Sequence, residues 1–284
     1  MTEARKAKMD RITKMLSDGV NEVFNSDRYK EWLKVCSRFH HYSLNNQILI
    51  LMQSKGTATQ VAGYKAWKSF GRTVKKGEHG ITIFAPMTIK KENDKEDVIF
   101  RTTTVFDIAQ TTGEPLPEIA FELKDDDESY RKWIEMLIKI APVPVVFTED
   151  LPNGVYGSFD PATQLIKVRS SLHDLARLKT LIHEIVHSLL DNDPRRNDSS
   201  KEKPLSRDSR EIRAESAAFV VCMDLGIDTS NYSFGYIAGW SSGKVDKELK
   251  AVMQDVRDVS DYILSKLEYN IVRNQVANCN AKKN

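Results

Sequence analysis

The apolar positions of this chain change period several times, and each change marks an element. Ile12, Met15, Leu16, Val20, Val23 and Phe24 keep helical spacing, as do Trp32, Leu33, Cys36 and Phe39, so the chain opens with helices. Ile81-Thr82-Ile83-Phe84 and Phe100 through Asp107 then read as strands, with Val98-Ile99 extending the second and a charged loop from Lys90 to Asp97 between them. Val143 to Phe147 is a short β-branched run and predicts another strand. Gly154–Phe159 and Gln164–Val168 flank the turn-forming Asp160-Pro161-Ala162-Thr163 and predict a hairpin. Helical spacing returns at Leu175, Leu178, Ile182, Ile185, Val186 and Leu189, again at 210–221, and in a long helix from Lys244 to Leu267. Between the first two of these helices, Asp193 to Ser209 has almost no apolar residue and predicts a mobile loop, either solvated or serving as a lid. The polar tail from Asn274 predicts disorder. The fold class expected is α+β, with an N-terminal helix-plus-small-sheet domain at residues 1–116. A mostly helical domain with a short antiparallel sheet is expected at 117–284.

Composition refines this division. The 284 residues suffice for two ordinary domains. Net charge is only +2, yet residues 1–116 carry 19 basic and 13 acidic side chains (+6), leaving 23 and 27 (−4) for the remainder. Such asymmetry points to an acidic polymer bound by the first half. The break falls near Pro115-Leu116-Pro117, and residues 116–128, ending in an acidic run, read as linker or domain edge. The 3 cysteines (Cys36, Cys222, Cys279) are odd in number and widely spaced. They form no disulfide framework and suit a reducing cytoplasm, and Cys222 lies in an apolar run that reads as core. The charged N-terminus has no apolar signal core, and Ile48 to Met52 is too short to span a bilayer. The expectation is a soluble cytoplasmic protein with no membrane partner.

The strongest chemical signal is His183-Glu184-Ile185-Val186-His187. Residues four apart on a helix share a face, so His183 and His187 can hold one metal ion. With 6 His in the chain, chance would produce this H-E-x-x-H pattern in about 0.01 of such sequences. It also falls within an amphipathic helical run, where the chemistry needs it. Glu184 stands beside the pair as a general base for water on the metal, which names metal-assisted hydrolysis, usually of a peptide bond. Such a site keeps three protein ligands, and a two-His, one-carboxylate set accepts Zn2+ or Mn2+. The third ligand is sought at 210–221, where Ala214, Ala217 and Ala218 allow close helix approach. Glu211 and Glu215, four apart, face the same way: one can bind the metal and the other can fix a histidine tautomer. Tyr232 and Tyr236 are the candidates for an oxyanion donor, and each also suits simple packing. The edge of the hairpin could receive an extended peptide as an added strand, or the hairpin could merely complete the core.

In the first domain, basic residues mixed with aromatics suit single-stranded nucleic acid. Tyr42, Tyr64, Trp67 and Phe70 are the stacking candidates. Lys65, Lys68, Arg72, Lys75 and Lys76 are the phosphate candidates. A helix–strand module with a basic face and ordinary core aromatics would have the same composition.

Two resemblances sharpen these readings. H-E-x-x-H followed on a second helix by Glu211, Ala214, Glu215 and Ala218 resembles the zincin pattern of ImmA/IrrE-type metallopeptidases. That resemblance implies Glu211 as the metal ligand and Glu215 as its supporting partner, while a shift of one turn would exchange them. Tyr42-Ser43-Leu44-Asn45-Asn46-Gln47-Ile48-Leu49, Gly63-Tyr64-Lys65-Ala66-Trp67, Val74 to Gly80 and Thr104 to Gln110 together resemble the N-terminal single-stranded-DNA-binding domain of ArdC-type antirestriction proteins. That family also joins this domain to a C-terminal zincin-like domain. The resemblance implies DNA binding, with Asn45 among the contacts, and association with mobile elements. Here Ser188-Leu189-Leu190 replaces the family's polar and aromatic residues after the second histidine, and the 193–209 segment is unusually charged. Three functions fit: a DNA-bound zinc protease acting on an unidentified protein, a protective DNA-binding module with a structural or inactive metal site, or a regulatory protease that cleaves a repressor. Neither the protein substrate, the DNA sequence preference nor the oligomeric state is written in these residues.

Overall fold

In the computed structural model the described residues are 3–24, 26–90, 96–116, 127–192, 206–230, 232, 234–235, 237–242, 244 and 246–281. The chain is α+β and divides into two compact units, Met1–Ala120 with Ser233–Lys250, and Phe121–Tyr232 with Ala251–Asn284.

The first unit begins with helices α1 (Glu3–Val23), α2 (Ser26–Arg38) and α3 (Leu44–Ser54). Ser43 caps α3 by accepting from the Asn46 N–H, and Ile48 through Leu51 are wholly buried. The apolar run that is too short for a bilayer is thus the centre of a core helix. Strand β1 (Val61–Gly63), helix α4 (Tyr64–Ser69) and strand β2 (Arg72–Val74) follow, then β3 (Ile81–Lys90), β4 (Glu96–Asp107) and β5 (Thr111–Gly113). The larger sheet has the order β1-β4-β3, and β2 pairs with β5. Both predicted strands 81–84 and 98–107 are present and longer than expected. Residues 91–95 of the predicted charged loop lie outside the described residues.

The edge of β3 is covered by side-chain amides from α3. Asn46 donates to the Phe84 carbonyl (2.8 Å) and accepts from its N–H (2.9 Å), and Gln53 does the same at Thr82 (2.8 and 2.9 Å). Seven residues apart on one helix face, these amides satisfy an edge that would otherwise invite another strand. Asp107 closes the other end of the sheet. Its carboxylate accepts from the N–H groups of Thr59, Gln60 and Ala109, and Gln110 returns a bond to the Asp107 N–H, completing a capping box on the 3-10 turn Ile108–Gln110. Helix α8 (Ile237–Ser241) belongs to this unit. Trp240 packs on Phe24 and Phe234 on Tyr29, with ring centroids 6.2 and 5.6 Å apart.

The second unit holds α5 (Asp127–Ile140), β6 (Val145–Thr148), β7 (Gly157–Asp160), β8 (Leu165–Arg169), α6 (Asp174–Asp191), α7 (Arg207–Asp224) and α9 (Asp246–Ala281), whose first turn lies in the other unit. The predicted hairpin is the antiparallel pair β7–β8. The expected antiparallel sheet is nonetheless mixed, because β6 lies on the far side of β8 and runs parallel to it. Residues 149–156 carry the chain from β6 across to β7, so β6 and β8 are not joined by a tight turn and need not alternate in direction. Residues 193–205 of the predicted mobile loop and 117–126 of the predicted linker lie outside the described residues. The last residues of that loop are instead ordered: Ser206 caps α7 by accepting from the Ser209 N–H, and the helix begins at Arg207. Helix α9 continues past Asn274, where composition alone predicts disorder. Among the described residues, no helix is long and apolar enough to cross a membrane.

Candidate metal centre

Helix α6 buries Leu178, Leu181, Ile182, Ile185 and Val186 completely, which fixes its rotation. Residues 183 and 187 then lie on the face that meets α7. On α7, Ala214, Ala217 and Ala218 are fully buried, and their small side chains let the helices approach. The result brings three donor atoms together. His183 Nε2 and His187 Nε2 are 3.0 Å apart, and Glu211 Oε2 lies 3.6 Å from each. A tetrahedral ion with bonds of 2.0–2.2 Å requires donor–donor edges of about 3.3 Å. The observed triangle brackets that value, so the residues present fit a divalent ion. Glu215, one turn further along α7, is outside this donor cluster, and its charge acts on His183 and on Tyr232.

The electrostatics follow from this crowding. The imidazoles of His183 and His187 hold the Glu211 carboxyl far below the usual carboxylate range, against an opposing contribution from burial. Burial disfavours protonated His183. The Glu211 carboxylate and the charges of Glu184 and Glu215 more than offset this and raise its pKa.

Glu184 is placed differently. It is 7% exposed, and burial raises its pKa despite the adjacent histidines and the Phe159 N–H that donates to it. A carboxyl held above its ordinary pKa beside the donors His183, His187 and Glu211 suits proton transfer in both directions. Strand β7 packs hard against it. A Cβ on Gly157 would lie 2.5 Å from Thr180 Cγ2 and 2.9 Å from Glu184 Oε1, so only glycine fits. Since β7 is the outer strand of β6-β8-β7, the site lies at a sheet edge. The cleft there has a volume of about 400 Å³ and is lined by β7, α6 and the start of α7.

Of the tyrosines considered as oxyanion donors, Tyr232 is a packing residue, edge-on to Phe219 with its hydroxyl 3.8 Å from Cys222 Sγ. Burial raises its pKa strongly and pushes the Cys222 thiol up to about 12, as suits a core cysteine. Tyr236 lies outside the described residues.

The N-terminal candidates separate into two groups. Trp67 is not available for stacking. It is 2% exposed, and its indole N–H donates to the Phe106 carbonyl (2.8 Å). Tyr42 is half-buried, its hydroxyl donates to the Val61 carbonyl (3.3 Å), and burial raises its pKa. Arg72 is turned onto β5, donating to Thr111 Oγ1 (2.8 Å) and to the carbonyls of Gly113 and Glu114. Lys75 donates to the Ala109 carbonyl (2.8 Å). The second group is open to a ligand: Tyr64 and Phe70 are 55% and 53% exposed, and Asn45, Lys65, Lys68 and Lys76 are exposed.

Residues 2–136 match the family model of the N-terminal domain of anti-restriction factor ArdC. The ArdC likeness extends to the fold. The crystal structure of metal-free antirestriction ArdC protein from the R388 plasmid aligns with a TM-score of 0.51 and 18% identity, covering 80% of this chain and 86% of that one. Its Mn(II)-bound structure aligns with a TM-score of 0.51 and 18% identity over 80% and 85%. An uncharacterized protein of Bacillus anthracis is 24% identical over 304 residues, covering 89% of this chain. The chain spans about half (50%) the length of that curated relative.

The ArdC-like motifs at 42–49 and 104–110 thus contain Asn46 of the amide cover of β3 and the Asp107 capping box, which serve as scaffold. Two contributors to the metal centre escaped the sequence reading. Gly157 could have been found, because an isolated glycine within a strand pattern signals a close approach. The Phe159 N–H could not, because a backbone donor leaves no mark in the residue type.

Proposed function

We propose that this is an ArdC-like antirestriction protein of a mobile element that binds single-stranded DNA through residues 1–116 and hydrolyses peptide bonds at a zincin-like centre in residues 117–284. The carrying observation is the convergence of His183, His187 and Glu211 with a buried Glu184 at the edge of β7. In this reading the three side chains hold Zn2+ or Mn2+, and Glu211 rather than Glu215 is the carboxylate ligand. Mn(II) in the R388 ArdC crystal structure supports a divalent ion. Such an ion, when bound, supplies Lewis acidity toward a carbonyl and lowers the pKa of water. Glu184 takes the proton of the attacking water and delivers it to the leaving amine. The Phe159 N–H and the wall at Gly157 hold its carboxylate in place, and the outer edge of β7 receives the substrate as an extended strand.

A purely structural metal site leaves a buried glutamate beside the ligands without a role. Glu184→Gln distinguishes the readings. It is expected to retain metal and single-stranded DNA binding while abolishing cleavage of a denatured protein mixture, read by mass spectrometry. Cleavage at the wild-type rate by this variant would overturn the assignment.

A further inference from the structure

We infer that Arg207 and Arg210 select an acidic side chain in the peptide that enters the metal cleft. The inference rests on the hydrolytic reading of the site and names its substrate class. Both arginines line the cleft with His183, His187 and Glu211. The helix dictates this, because residues 207, 210 and 211 of α7 share one face, so the rotation that delivers Glu211 to the histidines delivers both guanidinium groups as well.

Their pairing sets them apart from their neighbour. Arg213 on the same helix is buried and bonded to Asp255 at 2.7 Å. Arg210 comes within only 4.0 Å of Asp191, and Arg207 has no ion pair among the described residues. Both sit in the opening turns of α7, where the helix dipole disfavours cations, so the helix itself gains nothing from them. A guanidinium fork matches a carboxylate in two parallel hydrogen bonds. An extended peptide along the edge of β7 would carry its side chains past this pair. A nucleic-acid phosphate offers the same charge, but it does not pair with the outer strand of a sheet, which favours the peptide.

The test uses the full chain carrying Glu184→Gln, with Mn2+ and separately with chelator. Fluorescein-labelled random peptides rich in Asp and Glu are compared by anisotropy with the same pools carrying Asn and Gln. The acidic pool should bind about tenfold more tightly, and Arg207→Ala with Arg210→Ala should abolish the difference. Mn2+ affinity, measured in parallel, should stay within about threefold in the arginine variants, showing an intact site. Reversal to Arg207→Glu and Arg210→Glu should move the preference to a Lys-rich pool. Equal binding of the two pools, or a preference that survives the double alanine change, overturns the inference. So does a loss of oligonucleotide affinity in the arginine variants with the peptide preference unchanged. Wild-type cleavage without acidic enrichment at the cut sites overturns it while the hydrolytic reading stands. Acidic preference without any cleavage supports it while hydrolysis fails.

Discussion

Gly157 and Glu184 are in direct contact across the junction of β7 and α6: a Cβ at 157 would sit 2.9 Å from both Glu184 Cγ and Oε1. Gly157→Ala therefore forces the strand or the carboxylate to move. Overpacking of this kind costs about 1–3 kcal/mol, to be read from the midpoint of urea unfolding. Displacing the base by about 1 Å should lower hydrolysis roughly 100-fold, while metal affinity changes by less than about tenfold because no ligand is touched. Full activity in this variant would show that the wall at 157 is immaterial.

The two carboxylates of α7 should respond differently to removal. Glu211→Ala takes away one of three donors and should abolish tight metal binding in titration calorimetry. Glu215→Ala leaves all three donors in place, and a supporting role predicts about a 10–100-fold loss. The reverse ranking would mean that the helix presents its next turn to the ion.

Stability of the metal-free chain should vary with pH in a defined sense. His183 is raised from its ordinary 6.5, so its contribution is complete below that value and is lost as pH rises through the folded pKa. Glu184, raised from 4.5 by burial, adds a loss in the same direction above 4.5. Glu211 is depressed, so its contribution is present above 4.5 and is lost only as pH falls through its low folded value. The thermal midpoint in chelator should decline as pH rises above 6.5, and His183→Asn should flatten that decline. Metal affinity should rise over the same interval, since binding displaces the His183 proton. A midpoint that climbs toward pH 8 and is insensitive to His183→Asn would contradict this.

In the first unit, the buried and exposed aromatics should part company. Trp67→Ala should cost about 3–5 kcal/mol and lose DNA binding through unfolding. Tyr64→Ala and Phe70→Ala should leave the unfolding curve in place and weaken a single-stranded oligonucleotide by about 1–3 kcal/mol each, if bases stack on them. Lys76→Ala should reduce the salt dependence of that binding. Unchanged affinity in all three would move the DNA surface elsewhere.

Residues whose type encodes both chemistry and spacing were legible before the fold was known. His183, Glu184 and His187 needed only one helix, and Glu211 needed a second helix with small residues on its face. Glu211 and Glu215 stayed ambiguous because one turn separates them, and only the packing of Ala214, Ala217 and Ala218 sets the rotation. Trp67 stayed open between stacking and core because an aromatic among lysines has the same local pattern whether it faces a base or the Phe106 carbonyl. The parallel placement of β6 was not legible, since strand periodicity carries no direction. Arg207 falls in a charged stretch that reads as loop, and Arg210 opens a helical run whose facing could not be read, so neither could be placed at the cleft before the start and rotation of the helix were known.

The chain's division into units also constrains the order in which it can fold as it is made. Phe234 and Trp240 complete the ring cluster begun by Phe24 and Tyr29. A growing chain that has released only its first 120 residues lacks both rings and leaves that part of its interior exposed to water. By the time Trp240 emerges, α6 and α7 have already been made. The first unit therefore cannot close its ring cluster until Phe121–Tyr232 of the second has been made, and a product that stops between 120 and 233 would expose the rings of Phe24 and Tyr29.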